Sequence, residues 1–306
     1  LAINKVSIIG MGSLGLIFGG IIFDSIGREN IEFVMDEERF EKYSGLESSI
    51  NNKHYNFKIV PDSEKGKPSD LLIFAVKSTG LNDAINITRN KVSEDTIIIS
   101  LLNGITSEEI IGQAFGKEKV LYTIAEAMDP IRHGNNLKYT KAGYVNIGID
   151  TQDEEKKEKL NKVLEFFDKT GFPYKLEKDV KQRLWSKFML NVGVNQAMMI
   201  YEATYKTIQK PGPARNLMID AMKEVIELAK KENIKVTEDD LNFYVSIIDT
   251  LNPDGMASMR YDGLHKKKSE VDLFSGTVIR LGKKHGVATP INQHIYETIK
   301  EIESKY

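Results

Sequence analysis

The side chains best suited to chemistry lie in one stretch, Trp185 to Tyr201, WSKFMLNVGVNQAMMIY. Lys187, Asn191 and Asn195 are spaced four apart, so on a helix turning about 100° per residue they form one slowly drifting stripe. Between Phe188 and Ile200 the only polar side chains are Asn191, Asn195 and Gln196. Leu184, Phe188 and Val192 make one apolar line and Trp185, Met189 and Met199 another, which predicts a helix packed on most sides. A buried polar group without a partner costs about 1–3 kcal/mol, so the two amides and the lysine need something to bind. A ketone receiving hydride develops negative charge on oxygen. A cation beside it can supply the proton, and neutral amides can orient a neighbouring carboxylate. On these residues alone the alternative stays open: a stripe satisfied by nearby backbone or by solvent.

If the stripe serves a ketone, a partner must carry the hydride, and the amino-terminal sequence has the elements to position one. Lys5 to Gly10, KVSIIG, is a short apolar strand, and Gly10, Gly12 and Gly15 follow in G-x-G-x-x-G spacing ahead of a helical stretch to about Ile26. In that spacing the first glycine permits the turn, the second lets backbone approach a pyrophosphate, and the third allows close helix–strand packing. Met11, Ser13 and Leu14 complete the loop. A second strand, Ile31 to Met35, ends at Asp36, 21 residues after Gly15, where a carboxylate can hold a ribose 2′-hydroxyl. Further strands are expected at Asn56–Val60, Leu71–Ala75, Thr96–Ser100 and Lys119–Ile124, runs apolar enough to be buried on both faces of a parallel sheet. Lys77 in AVKS and Asn103 in LLNG follow two of them, at the strand ends where doubly wound sheets bind ligands.

Segments 137–149 and 172–176 read as extra strands closing the first domain, with a charged helix from Asp153 to Phe167 between them. From about Asp179 the pattern is helical, so the boundary is placed near 178: a dinucleotide-binding domain over 1–178 and a helical domain over 179–306. Pro211, Gly212 and Pro213 interrupt the helices, and Thr237 with Asp240 suits a helix start. In SMRYDGLHKKKSEVDLFSG, Val271, Phe274, Val278 and Leu281 have helical spacing, which puts Glu270 in a first turn where a carboxylate can simply complement the dipole.

Composition sets the class. The 306 residues are 41% hydrophobic and 28% charged with a formal net charge of -2, a globular pattern with no basic field for nucleic acid or an anionic membrane. There is no cysteine, which removes disulfides, thiolate catalysis and cysteine-bound metal, and the five histidines show no metal-ligand spacing. No apolar segment approaches the roughly 18 residues of a membrane span, so a cytoplasmic protein with a small-molecule partner, monomeric or homodimeric, is expected.

Taken together, GMGSLG, AVKS, LLNG, the helix W-S-K-x-x-x-N-x-x-x-N and the late S-M-x-x-D with a glutamate 12 residues beyond Ser258 resemble the ketopantoate reductase family over the whole chain. The resemblance implies a Rossmann domain followed by an all-helical one. It implies that Lys187 is the general acid, with Glu270 its companion at the substrate hydroxyl and against the cofactor. It further implies that Asn191, Asn195 and Ser258 hold the substrate, and that Lys77 and Asn103 line the cofactor side, Asn103 reaching the substrate as well. The implied reaction is reduction of a 2-oxo acid, ketopantoate before others. Members that use NADP(H) commonly carry arginine where this chain has Asp36; a carboxylate there suits NAD(H), although Arg39 is near enough to meet a 2′-phosphate. D-2-hydroxyacid dehydrogenases of the same family share the acidic residue. β-Hydroxyacid dehydrogenases share a K-x-x-x-N helix but not the second asparagine or the Ser258–Glu270 segment, and a non-catalytic dinucleotide sensor is the rival of another class.

Overall fold

Short runs of isoleucine, valine, leucine and phenylalanine alternate with helices through the first half of the chain. In the computed structural model, which describes residues 2–306, they form a parallel-dominated sheet. The strands are β1 (Val6–Ile9), β2 (Ile31–Met35), β3 (Ser48–Ile50), β4 (Lys53–Tyr55), β5 (Lys58–Pro61) and β6 (Leu71–Phe74). They continue with β7 (Ile97–Ser100), β8 (Val120–Met128), β9 (Ile131–His133), β10 (Asn136–Lys138), β11 (Ala142–Gly148) and β12 (Tyr174–Leu176). Eight of them make one sheet in the order β12-β11-β8-β7-β6-β1-β2-β5, parallel throughout except where β11 runs antiparallel to β8. Every residue of β1, β2, β6 and β7 is buried, which explains their predominantly apolar character, broken only by Ser7, Glu32 and Ser100.

The helices of this part are α1 (Ser13–Ile26), α2 (Glu37–Tyr43), α3 (Leu81–Ile87), α4 (Ser107–Phe115) and α5 (Glu154–Thr170). One apolar core, with Phe18, Phe33, Phe167 and Phe172, includes residues of α1 and α5; another, with Phe74, Leu81 and Ile111, includes residues of α3 and α4. The strand order reverses between β1 and β6, so the loops after those two strands open the crevice where such sheets bind ligands. At the opposite, amino-terminal ends, the buried Glu32 gathers Lys5 and Lys91 at 3.3 Å each and Lys58 at 3.8 Å. Burial alone would raise the Glu32 pKa, but Lys91, Lys5 and the Ser7 hydroxyl outweigh it and hold the carboxyl below its ordinary value.

Segment 137–149 is not one strand. It divides into β10, which joins a separate four-stranded sheet of order β4-β3-β10-β9, and β11 in the large sheet. Asp129 makes the break: its Oδ1 accepts from the amides of Thr140 at 2.9 Å and Lys141 at 2.6 Å, fixing a turn between the two strands.

The chain divides into two compact units, Leu1–Val180 and Lys181–Tyr306. The second contains most of α6 (Val180–Ile200), then α7 (Tyr205–Ile208), α8 (Pro213–Lys231), α9 (Glu238–Thr250), α10 (Ser258–Leu264), α11 (Ser275–His285) and α12 (Pro290–Glu303). α6 and α8 touch at Gly193, where a Cβ would stand 2.6 Å from Met222 Cγ and 2.8 Å from the Met218 carbonyl oxygen. Pro213 opens α8, and at the start of α9 the Asp240 carboxylate accepts the Thr237 amide at 2.8 Å. Among the described residues no helix is long and apolar enough to cross a membrane.

Candidate functional site

In the first unit the candidate side chains come from the carboxyl ends of adjacent parallel strands. Gly10, directly after β1, has φ +101°, and a Cβ there would lie 2.5 Å from the Ala75 carbonyl oxygen. At Gly15 a Cβ would stand 2.0 Å from the carbonyl oxygen of Gly10, so helix and turn fit only without one. Gly12 is different. Its nearest neighbour for a Cβ is the Ala75 oxygen at 3.8 Å, so packing does not require glycine there. A side chain at Gly12 would instead fill the space over the loop through which a pyrophosphate reaches the first-turn amides of α1, including Ser13 and Leu14. Gly12 is the N-cap of α1 and offers no side-chain capping bond to compete for those amides.

Asp36 ends β2 and caps α2: its Oδ1 accepts the Arg39 amide at 2.8 Å, and its Oδ2 lies 3.3 Å from an Arg39 guanidinium nitrogen. The end of β2 therefore presents a carboxylate with a guanidinium tied to it. Lys77 follows β6 as an exposed residue before the short turn 78–80, and Asn103 is partly buried in the loop after β7, just before Gly104 at φ +91°. That loop is bracketed underneath: the Ser100 hydroxyl donates to Ser107 at 2.9 Å, and Ser107 donates to Glu108 Oε2 at 2.8 Å. Burial pushes the Glu108 carboxyl up to about 7. Its Oε1 has no hydrogen bond of good geometry, although the nearby amides of Glu108 and Thr123 favour the anion slightly.

In the second unit α6 carries the polar stripe, with Lys187 and Asn191 partly buried and Asn195 buried. Asn195 Oδ1 accepts the Ser258 hydroxyl at 2.9 Å and the Met259 amide at 3.3 Å, and Asn195 Nδ2 donates to Asn191 Oδ1 at 3.3 Å. The structure thus brings Ser258, Asn195 and Asn191 into one chain of hydrogen bonds that ends on Asn191 Oδ1, one turn from Lys187. Gln196 turns the other way, donating to the Val192 carbonyl at 2.7 Å and accepting the Ser275 amide at 3.2 Å.

Glu270 is not in a helical first turn. α11 begins only at Ser275, and the backbone carbonyl of Glu270 accepts the amides of Leu273 and Phe274 in a preceding turn. Val271 and Phe274 supply the helical spacing in the sequence, but they are core residues of that turn, and the Gln196 bond holds the helix start at Ser275. The helix dipole therefore gives no account of Glu270. Its neighbour Ser269 is anchored to α12, its amide and hydroxyl both bonding Glu303 at 2.7 and 2.5 Å.

The sequence reading also missed Arg132, on β9, whose Nη1 donates to the Met11 carbonyl oxygen at 2.6 Å. Nothing near it in sequence marks it, because its partner is 121 residues away.

Comparison with known proteins gives the same arrangement a lineage. Residues 6–150 match the family described as ketopantoate reductase PanE/ApbA, and residues 179–303 match its C-terminal domain. The chain is 29% identical over 240 residues to a 2-dehydropantoate 2-reductase of Aquifex aeolicus, covering 76% of each protein. With a 2-dehydropantoate 2-reductase of Pyrococcus abyssi it shares 25% identity over 306 residues, 98% of each. In three dimensions it resembles a D-mandelate dehydrogenase solved with NADH and anilino(oxo)acetate, with a TM-score of 0.85, 22% identity, and coverage of 98% of this chain and 99% of that one. Matched on both sides of its unit boundary, the chain belongs to the ketopantoate reductase family of nicotinamide-dependent oxidoreductases that act on CH–OH groups.

Proposed function

We propose that the chain reduces ketopantoate to (R)-pantoate on the route to pantothenate and coenzyme A; its relatives are named for reduction of 2-dehydropantoate. What carries this reading is the hydrogen-bonded chain Ser258–Asn195–Asn191 on the lysine-bearing face of α6. Hydride comes from the nicotinamide dinucleotide when it is bound by the first unit. Lys187 gives its proton to the carbonyl oxygen as charge develops there, so its interaction belongs mainly to the transition state. Asn191 and Ser258 hold the oxo acid, Asn195 fixes both of them, and Glu270 acts beside Lys187 at the substrate hydroxyl and against the cofactor. Gly10 to Gly15, Lys77 and Asn103 hold the dinucleotide, with Asn103 also reaching the substrate.

Asp36 favours a second feature, use of NADH. Its carboxylate can accept from an unphosphorylated ribose, which is the arrangement expected of a D-2-hydroxyacid dehydrogenase of this family. The deciding experiment assays a panel of 2-oxo acids with NADH and with NADPH. The highest kcat/KM on ketopantoate supports the reading. A preference for another 2-oxo acid selects the dehydrogenase, and no oxidation of either cofactor with any acid leaves a dinucleotide sensor.

A further inference from the structure

Arg132 stands out among the cations of the first unit. It projects from β9 of the small sheet, is partly buried, and forms no ion pair among the described residues. Its bonds go to two carbonyls: Nε donates to Gly134 at 2.8 Å and Nη1 to Met11 at 2.6 Å. Burial holds its pKa below the usual arginine range, and Tyr43, at the end of α2, is the titratable neighbour it feels most. A guanidinium withdrawn from water is costly unless an anion meets it, and carbonyl dipoles compensate only in part. Arginine also carries five N–H donors in a flat fork, and these two bonds use two of them.

Met11 lies between Gly10 and Gly12, in the loop over which a pyrophosphate is held. From this we propose that Arg132 faces the pyrophosphate of the bound dinucleotide, anchoring the loop through the Met11 carbonyl and turning its remaining donors to the phosphate oxygens. The proposal rests on the dinucleotide-binding reading above. The 2′-position of the ribose is served by other groups, since Asp36 and its tethered Arg39 stand at the end of β2. The division of labour is specific: Arg132 for the phosphate that NADH and NADPH share, Arg39 for the phosphate that only NADPH has.

The test is equilibrium titration of the full chain with ADP-ribose, which carries the pyrophosphate without the nicotinamide, and with 2′-phospho-ADP-ribose. Arg132→Gln keeps a donor for the Met11 carbonyl but no charge, whereas Arg132→Lys keeps the charge. We expect Arg132→Gln to raise the Kd of both ligands at least about tenfold and Arg132→Lys to recover most of that loss. Because Arg132 is only partly buried, both variants should melt close to the unsubstituted chain. Equal loss in the two variants, or none in either, would mean that Arg132 merely braces the loop and overturns the proposal. So does a loss confined to 2′-phospho-ADP-ribose, which would move Arg132 to the ribose. Failure of the unsubstituted chain to bind ADP-ribose overturns the dinucleotide reading itself, and is thereby distinguished from failure of the Arg132 assignment alone.

Discussion

Glu108 ties the stability of the loop carrying Asn103 to pH, and its substitution by glutamine gives a prediction whose sign and size can both be worked out. The carboxyl sits in the first turn of α4, where a helix dipole favours the anion, yet burial dominates and raises its pKa from 4.5 to about 7. A carboxyl with a folded-state pKa above its unfolded value binds more protons when folded. Its contribution to stability is therefore fully present below about 4.5 and is lost as pH rises through about 7. At roughly 1.4 kcal/mol per pH unit of separation, the penalty above pH 8 approaches about 3 kcal/mol. Glutamine resembles the protonated acid: it is neutral at every pH, and the serine hydroxyls of Ser107 and Ser100 can reverse their donor direction to meet its amide. Glu108→Gln should thus leave stability nearly unchanged at pH 5 and raise it by about 3 kcal/mol at pH 8.5. Urea unfolding at the two pH values measures this. The signal should be far-ultraviolet circular dichroism with amide exchange of β7 and β8, because the single tryptophan, Trp185, reports on the second unit. If the two proteins lose or gain the same stability between pH 5 and 8.5, Glu108 is already ionised in the folded state at pH 5 and the reasoning is wrong.

Three further predictions concern the reaction. Lys187→Ala should lower kcat at least about a hundredfold with an unchanged circular dichroism spectrum, measured where hydride transfer limits turnover; near-normal kcat there would falsify its role as general acid. Asp36→Asn keeps an acceptor for the Arg39 amide and so keeps the α2 cap while removing the charge, and the kcat/KM ratio should move toward NADPH by about tenfold, an unchanged ratio counting against Asp36 as the ribose reader. Asn195→Ala and Ser258→Ala should raise KM for the oxo acid well above any change for the dinucleotide, the first more than the second because Asn195 holds both Ser258 and Asn191; equal effects on the two ligands would refute the assignment.

The parts of the fold that are legible in the sequence are those whose cause is local. GMGSLG follows an apolar strand and precedes a helix, and Gly10 and Gly15 answer to a neighbour within the loop or beside the adjoining strand. The central strands announce themselves because burial on both faces leaves their runs almost wholly apolar, Ser7 and Ser100 being the exceptions. The small sheet has no such signature: β3, β4 and β9 are three residues each, β9 is buried at none of them, and the two short hairpins β3–β4 and β9–β10 become a sheet only through the distant pairing of β10 with β3. The same division runs through the site. The Lys187–Asn191–Asn195 stripe is a matter of helical spacing, but the bond that gives Asn195 its task comes from Ser258, 63 residues on. Only the family resemblance pointed to it.

Charge is where local pattern fails most completely, and the three groups concerned fail for one physical reason. The two glutamates Glu108 and Glu109 read alike, as first-turn carboxylates of a helix, although one is buried and the other exposed. Glu270 reads as a third, but Val271 and Phe274 owe their spacing to a buried turn and not to a helix face. Arg132 reads as one basic residue among 42. Spacing reports which side chains share a face, whereas the energy of a charge depends on what lies within a few ångströms in any direction and on how much water reaches it. A charge whose role comes from burial or from a distant partner is therefore invisible until the fold supplies its surroundings. By that argument the residues that separate one dinucleotide from another within this family should be sought among charges such as Asp36 and Arg39 at the end of β2, and less in the helix motif that marks the family.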